Sequence, residues 1–152
     1  MFTVFLAGSL FILGLIIGSF LNVFIARHQT GLGLKGRSFC FTCGHALSWY
    51  DLMPLVSFII QKGRCRYCGA RISSQYPLVE FITGILFVII FIKINPLFSF
   101  YYLLLTTYYL LIFTILLAIA AYDIRHKIIP NTFVYFFIAL SFTGIFIIHD
   151  SL

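Results

Sequence analysis

Long stretches without charge alternate along this chain with short segments that collect nearly all of its polarity. Residues 2–26, 96–122 and 128–148 contain no charged side chain, and 76–92 contains only Glu80. A helix of about 20 apolar residues crosses the hydrocarbon layer of a bilayer. The pattern therefore predicts four transmembrane helices. The second run is the shortest, and Ile94 lengthens it while the Lys93 ammonium reaches back to the interface. The first run is not a secretory signal, because no basic residue precedes it and it is too long for the apolar core of one. Between the first two runs, residues 47–60 form a further apolar segment that Asp51 and Pro54 interrupt. It is too short for a fifth crossing and is expected to form the packed body of the loop module, on the membrane surface.

Composition agrees with that pattern. The chain is 62% hydrophobic and 9% charged, with a mean hydropathy of +1.09, which excludes an ordinary soluble protein. The expected fold is an all-α integral membrane protein, with transmembrane helix 1 at 1–26, a cytosolic module at 27–75 and transmembrane helices 2–4 within 76–152.

Charge sets the expected orientation. Of the ten Lys and Arg residues, Arg27, Lys35, Arg37, Lys62, Arg64, Arg66 and Arg71 lie between the first and second runs. Arg125 and Lys127 lie between the third and fourth, which leaves Lys93 alone on the other side. Basic loops stay in the cytosol. Both termini are then external, in a multi-pass protein of the cytoplasmic (plasma) membrane. The same rule, with attraction to anionic lipid, accounts for the basic loop without nucleic acid, and no nucleic-acid partner is expected.

All four cysteines fall in a repeat: Cys40-Phe-Thr-Cys43-Gly44-His45-Ala46-Leu47-Ser48 returns as Cys65-Arg-Tyr-Cys68-Gly69-Ala70-Arg71-Ile72-Ser73. Two C-x-x-C knuckles suit a four-cysteine zinc site, each pair clamping the metal from one turn while the following glycine allows positive φ. Two disulfides are the alternative, which a reducing cytosol disfavours. His45 is expected to be a surface residue because the cysteines complete a ligand set without it. A loop this small also needs such a staple, since it cannot bury much apolar surface.

The chain has four acids: Asp51, Glu80, Asp123 and Asp150. Asp51 is expected to cap a turn. Glu80 enters the second run by one helical turn, where an acid is either functional or a structural partner inside the bundle. Asp123 follows the third run beside Arg125, His126 and Lys127, and Pro130 suits the first turn of the next helix. That places Asp123 on or beside a tight turn between two helices.

Four blocks, in order, resemble the type IV prepilin peptidases: Gly18-Ser19-Phe20-Leu21-Asn22-Val23, then Ser48-Trp49-Tyr50-Asp51 with Pro54, then Tyr76-Pro77-Leu78-Val79-Glu80, and Asp123 through Pro130-Asn131. The resemblance covers nearly the whole chain. It implies a membrane aspartic endopeptidase that removes the leader of prepilins or pseudopilins, often with N-methylation of the new amino terminus by S-adenosylmethionine. Asp123 matches the first catalytic aspartate. The second, in a G-x-G-D motif, has no counterpart here, and Asp150 lacks the glycines and the correct side of the membrane. A fragment or truncated product is therefore expected. The alternatives are a homodimer that supplies Asp123 twice, and a non-catalytic zinc module that binds prepilins or assembly proteins. The oligomeric state is not legible.

Overall fold

The computed structural model describes residues 1–28, 36–94, 100–127 and 131–149. Among these the elements are helices: α1 (Phe2–Arg27), a 3₁₀ turn (Trp49–Leu52), a short α2 (Val56–Ile60), α3 (Gln75–Ile94), α4 (Phe100–His126) and α5 (Asn131–His149). Extended pairing is limited to two isolated bridges, Phe39 with Ala46 and Arg64 with Arg71. The fold class is the all-α membrane class that the hydropathy pattern predicts. α1, α3 and α4 are each long and apolar enough to cross a bilayer, and α5 is apolar over Asn131–Gly144. The start of the fourth run at Ile128, the proline at 130 and Asp150 lie outside the described residues.

α4 departs from its uncharged run by continuing through Asp123 and Arg125 to His126. Charge ends a hydropathy run without ending a helix. Arg125 and His126 in the last turn also complement the partial negative charge of a helix C-terminus. Hydroxyls within the apolar helices bond to their own backbone, as in Thr106 Oγ1 to Tyr102 O at 2.7 Å and Thr114 Oγ1 to Leu110 O at 2.6 Å. This satisfies them without water.

The chain divides into two compact units, one over Ile12–Gly84 and the other comprising Met1–Phe11 and the chain from Ile85. In the first unit α1 and α3 run antiparallel along a seam of small residues. A Cβ on Gly14 would lie 2.8 Å from Gly84 Cα, and one on Gly18 would lie 2.7 Å from Glu80 Cα. Carbon atoms in contact prefer separations of about 3.5–4.0 Å, so neither position admits a side chain. One turn nearer the loop, the buried Asn22 donates from Nδ2 to Tyr76 O at 2.9 Å. In the second unit α4 packs on α5. Tyr122, fully buried, meets Phe133 edge-on with ring centroids 6.2 Å apart, and Gly144 faces the Tyr108 ring.

Gly14→Leu should lower stability by roughly 1–3 kcal/mol, the usual cost of overpacking. Gly8→Leu should be nearly neutral, because nothing lies within 4 Å of a Cβ at Gly8. Thermal unfolding of the detergent-solubilised protein distinguishes the two, and equal losses would contradict the seam.

Candidate metal centre and acidic sites

Each knuckle is built by the same local bonds. Gly44 N–H donates to Cys40 O at 2.8 Å and Cys40 N–H to His45 O at 2.9 Å; Gly69 N–H donates to Cys65 O at 2.9 Å and Cys65 N–H to Ala70 O at 2.8 Å. Gly44 and Gly69 both adopt φ of +72°. A Cβ would strain that conformation, which explains the glycine after each second cysteine. The repeat in the sequence is thus a repeat in geometry.

The two knuckles bring Cys40, Cys43, Cys65 and Cys68 together, with their four sulfur atoms within 4.8 Å of one another. Cys40 Sγ and Cys68 Sγ are 3.9 Å apart. Sulfurs on a tetrahedral zinc with bonds of about 2.3 Å are separated by about 3.8 Å. All four cysteines are free, and Cys65 is buried. The cluster fits a metal ion and is consistent with zinc, although iron–sulfur chemistry uses the same donor set. Four neighbouring thiols cannot ionise independently. The N–H of Cys43 leads the bonds that draw the Cys40 thiol down to about 6. Cys68 is pushed up to about 12, because the N–H of Ala70 lowers it by less than desolvation and the thiols of Cys43, Cys65 and Cys40 raise it. His45 is exposed, its ring centroid 3.6 Å from that of Tyr67.

Asp51 does more than cap its turn. Oδ2 accepts the N–H of Ser48 at 3.2 Å, the expected capping bond, and the hydroxyl of Tyr67 at 3.4 Å. Oδ1 accepts Gln61 Nε2 at 3.1 Å and pairs with Arg66 Nε at 3.2 Å. The carboxylate is buried and the guanidinium half-exposed over the Tyr50 ring. One acid therefore ties the 3₁₀ turn to the second knuckle. Sequence reading misses this role because Gln61, Arg66 and Tyr67 are remote from Asp51 along the chain.

Glu80 is also buried, and its Oε2 accepts the N–H of Leu55 at 2.8 Å, with Ser19 as a second partner. Leu55 has a φ of +58°, unusual for a branched residue. Glu80 thus holds the turn before α2 against α1 and α3.

Asp123 lies in the last turn of α4 with its side chain exposed. Its carbonyl accepts the N–H of Lys127 at 2.7 Å, and Lys127 takes a φ of +52° as the helix stops. One turn along, His126 Nε2 is buried with no hydrogen-bond partner among the described residues, its ring beside Tyr122 at 4.5 Å. Asp123 and the cysteines belong to different units.

The family model described as the bacterial peptidase A24 N-terminal domain matches residues 12–94. Among curated proteins, the chain is similar to a prepilin leader peptidase/N-methyltransferase of Myxococcus xanthus, 53% identical over 51% of this chain and 24% of that protein. Proteins of the same name are 36% identical in Bacillus subtilis, over 85% of this chain and 50% of that one, and 34% identical in Vibrio cholerae, over 86% and 53%. The chain spans a quarter to about half the length of these relatives. No solved structure matches.

Purified protein should contain one metal ion per chain, with zinc the element expected from a four-thiolate set. Cys65→Ser should remove it while leaving the long helices inserted, since lipid burial holds them. Elemental analysis under reducing conditions measures the first, and metal far below one equivalent would overturn the assignment.

Proposed function

The chain belongs to the family of bacterial peptidase A24 N-terminal domains, and from that premise we propose that it is part of a membrane aspartic endopeptidase that removes the leader of type IV prepilins or pseudopilins. The double name of the relatives supports extending the proposal to N-methylation of the new amino terminus, for which S-adenosylmethionine would be the methyl donor. What carries this reading is the family match across α1, the four cysteines and α3, together with Asp123 at the end of α4.

Residues 1–26 form the first crossing, 27–75 the cytosolic zinc module, and 76–152 the remaining crossings with the start of the peptidase region. The basic residues of the loop and of the 123–127 turn favour the cytosolic side of the plasma membrane for both, with external termini. Cys40, Cys43, Cys65 and Cys68 would hold the zinc, whose part is to fold the loop.

Aspartic proteolysis needs two carboxyl groups sharing a site, one ionised to take a proton from the attacking water and one protonated to assist the carbonyl and the leaving amine. Asp123 supplies one of them. Its place in the last turn of α4, exposed and followed by a tight stop, suits a group that must meet an extended peptide at the membrane face. The resemblance implies a partner acid in a G-x-G-D motif, and residues 1–152 contain none.

In a protein that joins this chain to a G-x-G-D helix, Asp123→Asn should reduce leader cleavage at least about 1,000-fold, the usual scale for losing one catalytic group. Metal content and membrane insertion should stay unchanged, because the substitution alters charge with little change in size. Cleavage of a prepilin by the variant at an undiminished rate would overturn the role of Asp123.

A further inference from the structure

The segment between the two knuckles is attached lower on the membrane helices than a soluble loop needs to be. Asn22 meets Tyr76 where α3 leaves the loop, and Gly18 meets Glu80 one turn further along the seam. With a rise of 1.5 Å per residue, that turn lies about 6 Å deeper along α3. The Leu55 N–H is bonded at this deeper level, to Glu80 Oε2 at 2.8 Å. The 3₁₀ turn and α2 are therefore held beside the helix ends rather than above them.

Their outward surface is apolar. Trp49 is 76% exposed, Ile59 71% and Ile60 67%, and Met53 and Val56 are also exposed. Lys62 and Arg64, both exposed, follow directly in the sequence, and the exposed Arg71 comes after the second knuckle. An exposed tryptophan and exposed aliphatic residues within one short segment, followed in the sequence by basic residues, have the composition of a headgroup boundary. The backbone is prepared for it as well. Ser57 N–H donates to Met53 O at 3.0 Å, Ile59 to Leu55 O at 3.0 Å and Gln61 to Ser57 O at 2.9 Å, so the turn bonds to itself. The Leu55 N–H, which has no carbonyl of its own segment, takes the Glu80 carboxylate instead. Backbone at membrane depth has to be satisfied by protein in this way.

We propose that residues 49–60 dip into the same leaflet that α1 and α3 enter, with Trp49, Ile59 and Ile60 among the upper acyl chains and the following basic residues on anionic headgroups. Glu80 is the positioning residue that sets the depth. The occupant of the apolar surface is lipid because the segment is bonded to Glu80 of α3, a helix long and apolar enough to cross a bilayer, and exposed basic residues follow it in the sequence. This docking holds whether or not the protein cuts prepilins.

Trp49 is the only tryptophan in the chain, so intrinsic fluorescence reports the segment directly. In vesicles of phosphatidylethanolamine and phosphatidylglycerol, its emission should be blue-shifted and quenched more by a spin label near the head of the acyl chain than by one at its tail. Aqueous iodide should quench it little. Trp49→Phe combined with Ile59→Trp should move the probe to α2 and give the same pattern. In Glu80→Gln, which weakens the anchoring bond, iodide quenching should rise. Free quenching of Trp49 by iodide in the wild-type protein would overturn the proposal. So would shielding from iodide with no quenching by either lipid label, which would place a protein surface over the segment instead.

Discussion

Two glycines on one face of α1 allow it to approach α3 so closely that a Cβ at either position would overlap the opposite backbone. Association of helices in lipid gains little from the hydrophobic effect and depends on this kind of close packing. The seam fixes where both ends of the intervening loop are anchored. It also sets Glu80 beside α1, from where its carboxylate reaches the Leu55 N–H. The position of the loop's apolar segment thus follows from a contact between helices rather than from the loop itself.

The loop needs a second constraint for its own order, and four sulfur atoms within 4.8 Å of one another provide it. Knuckles of the same form converge on one point, which a metal can close without a large core. Asp51 adds a polar centre, joining the 3₁₀ turn to Gln61 and Arg66 near the second knuckle. A buried carboxylate is costly unless its oxygens are paired, and here both are. Cysteine cluster, acid and seam hold different parts of one unit.

Features that depend on neighbours along the chain are legible in the amino-acid sequence. Apolar runs with at most one acid mark α1, α3 and α4, and the cysteine repeat marks the cluster, because hydropathy and ligand spacing are local properties. The end of α4 is less legible, since a charge stops a hydropathy run whereas the helix continues to His126 and includes Asp123. The roles of Asp51 and Glu80 are only half legible. Their partners Arg66 and Leu55 lie in other elements, and nothing in the composition around Leu55 announces a positive φ. Asp123 remains a candidate from resemblance and position, and its exposure at a helix end suits that role without defining it.

The central claim is that the helix seam orders the loop's apolar segment through Glu80. Amide hydrogen exchange across residues 53–61, in the vesicle-reconstituted wild-type protein and in Gly18→Leu, tests it most directly. Separation of the helices at Gly18 should deprive the Leu55 N–H of its acceptor, so exchange in this segment should accelerate while the protein keeps its cysteine-bound metal. Unchanged protection of residues 53–61 in the variant would contradict the account.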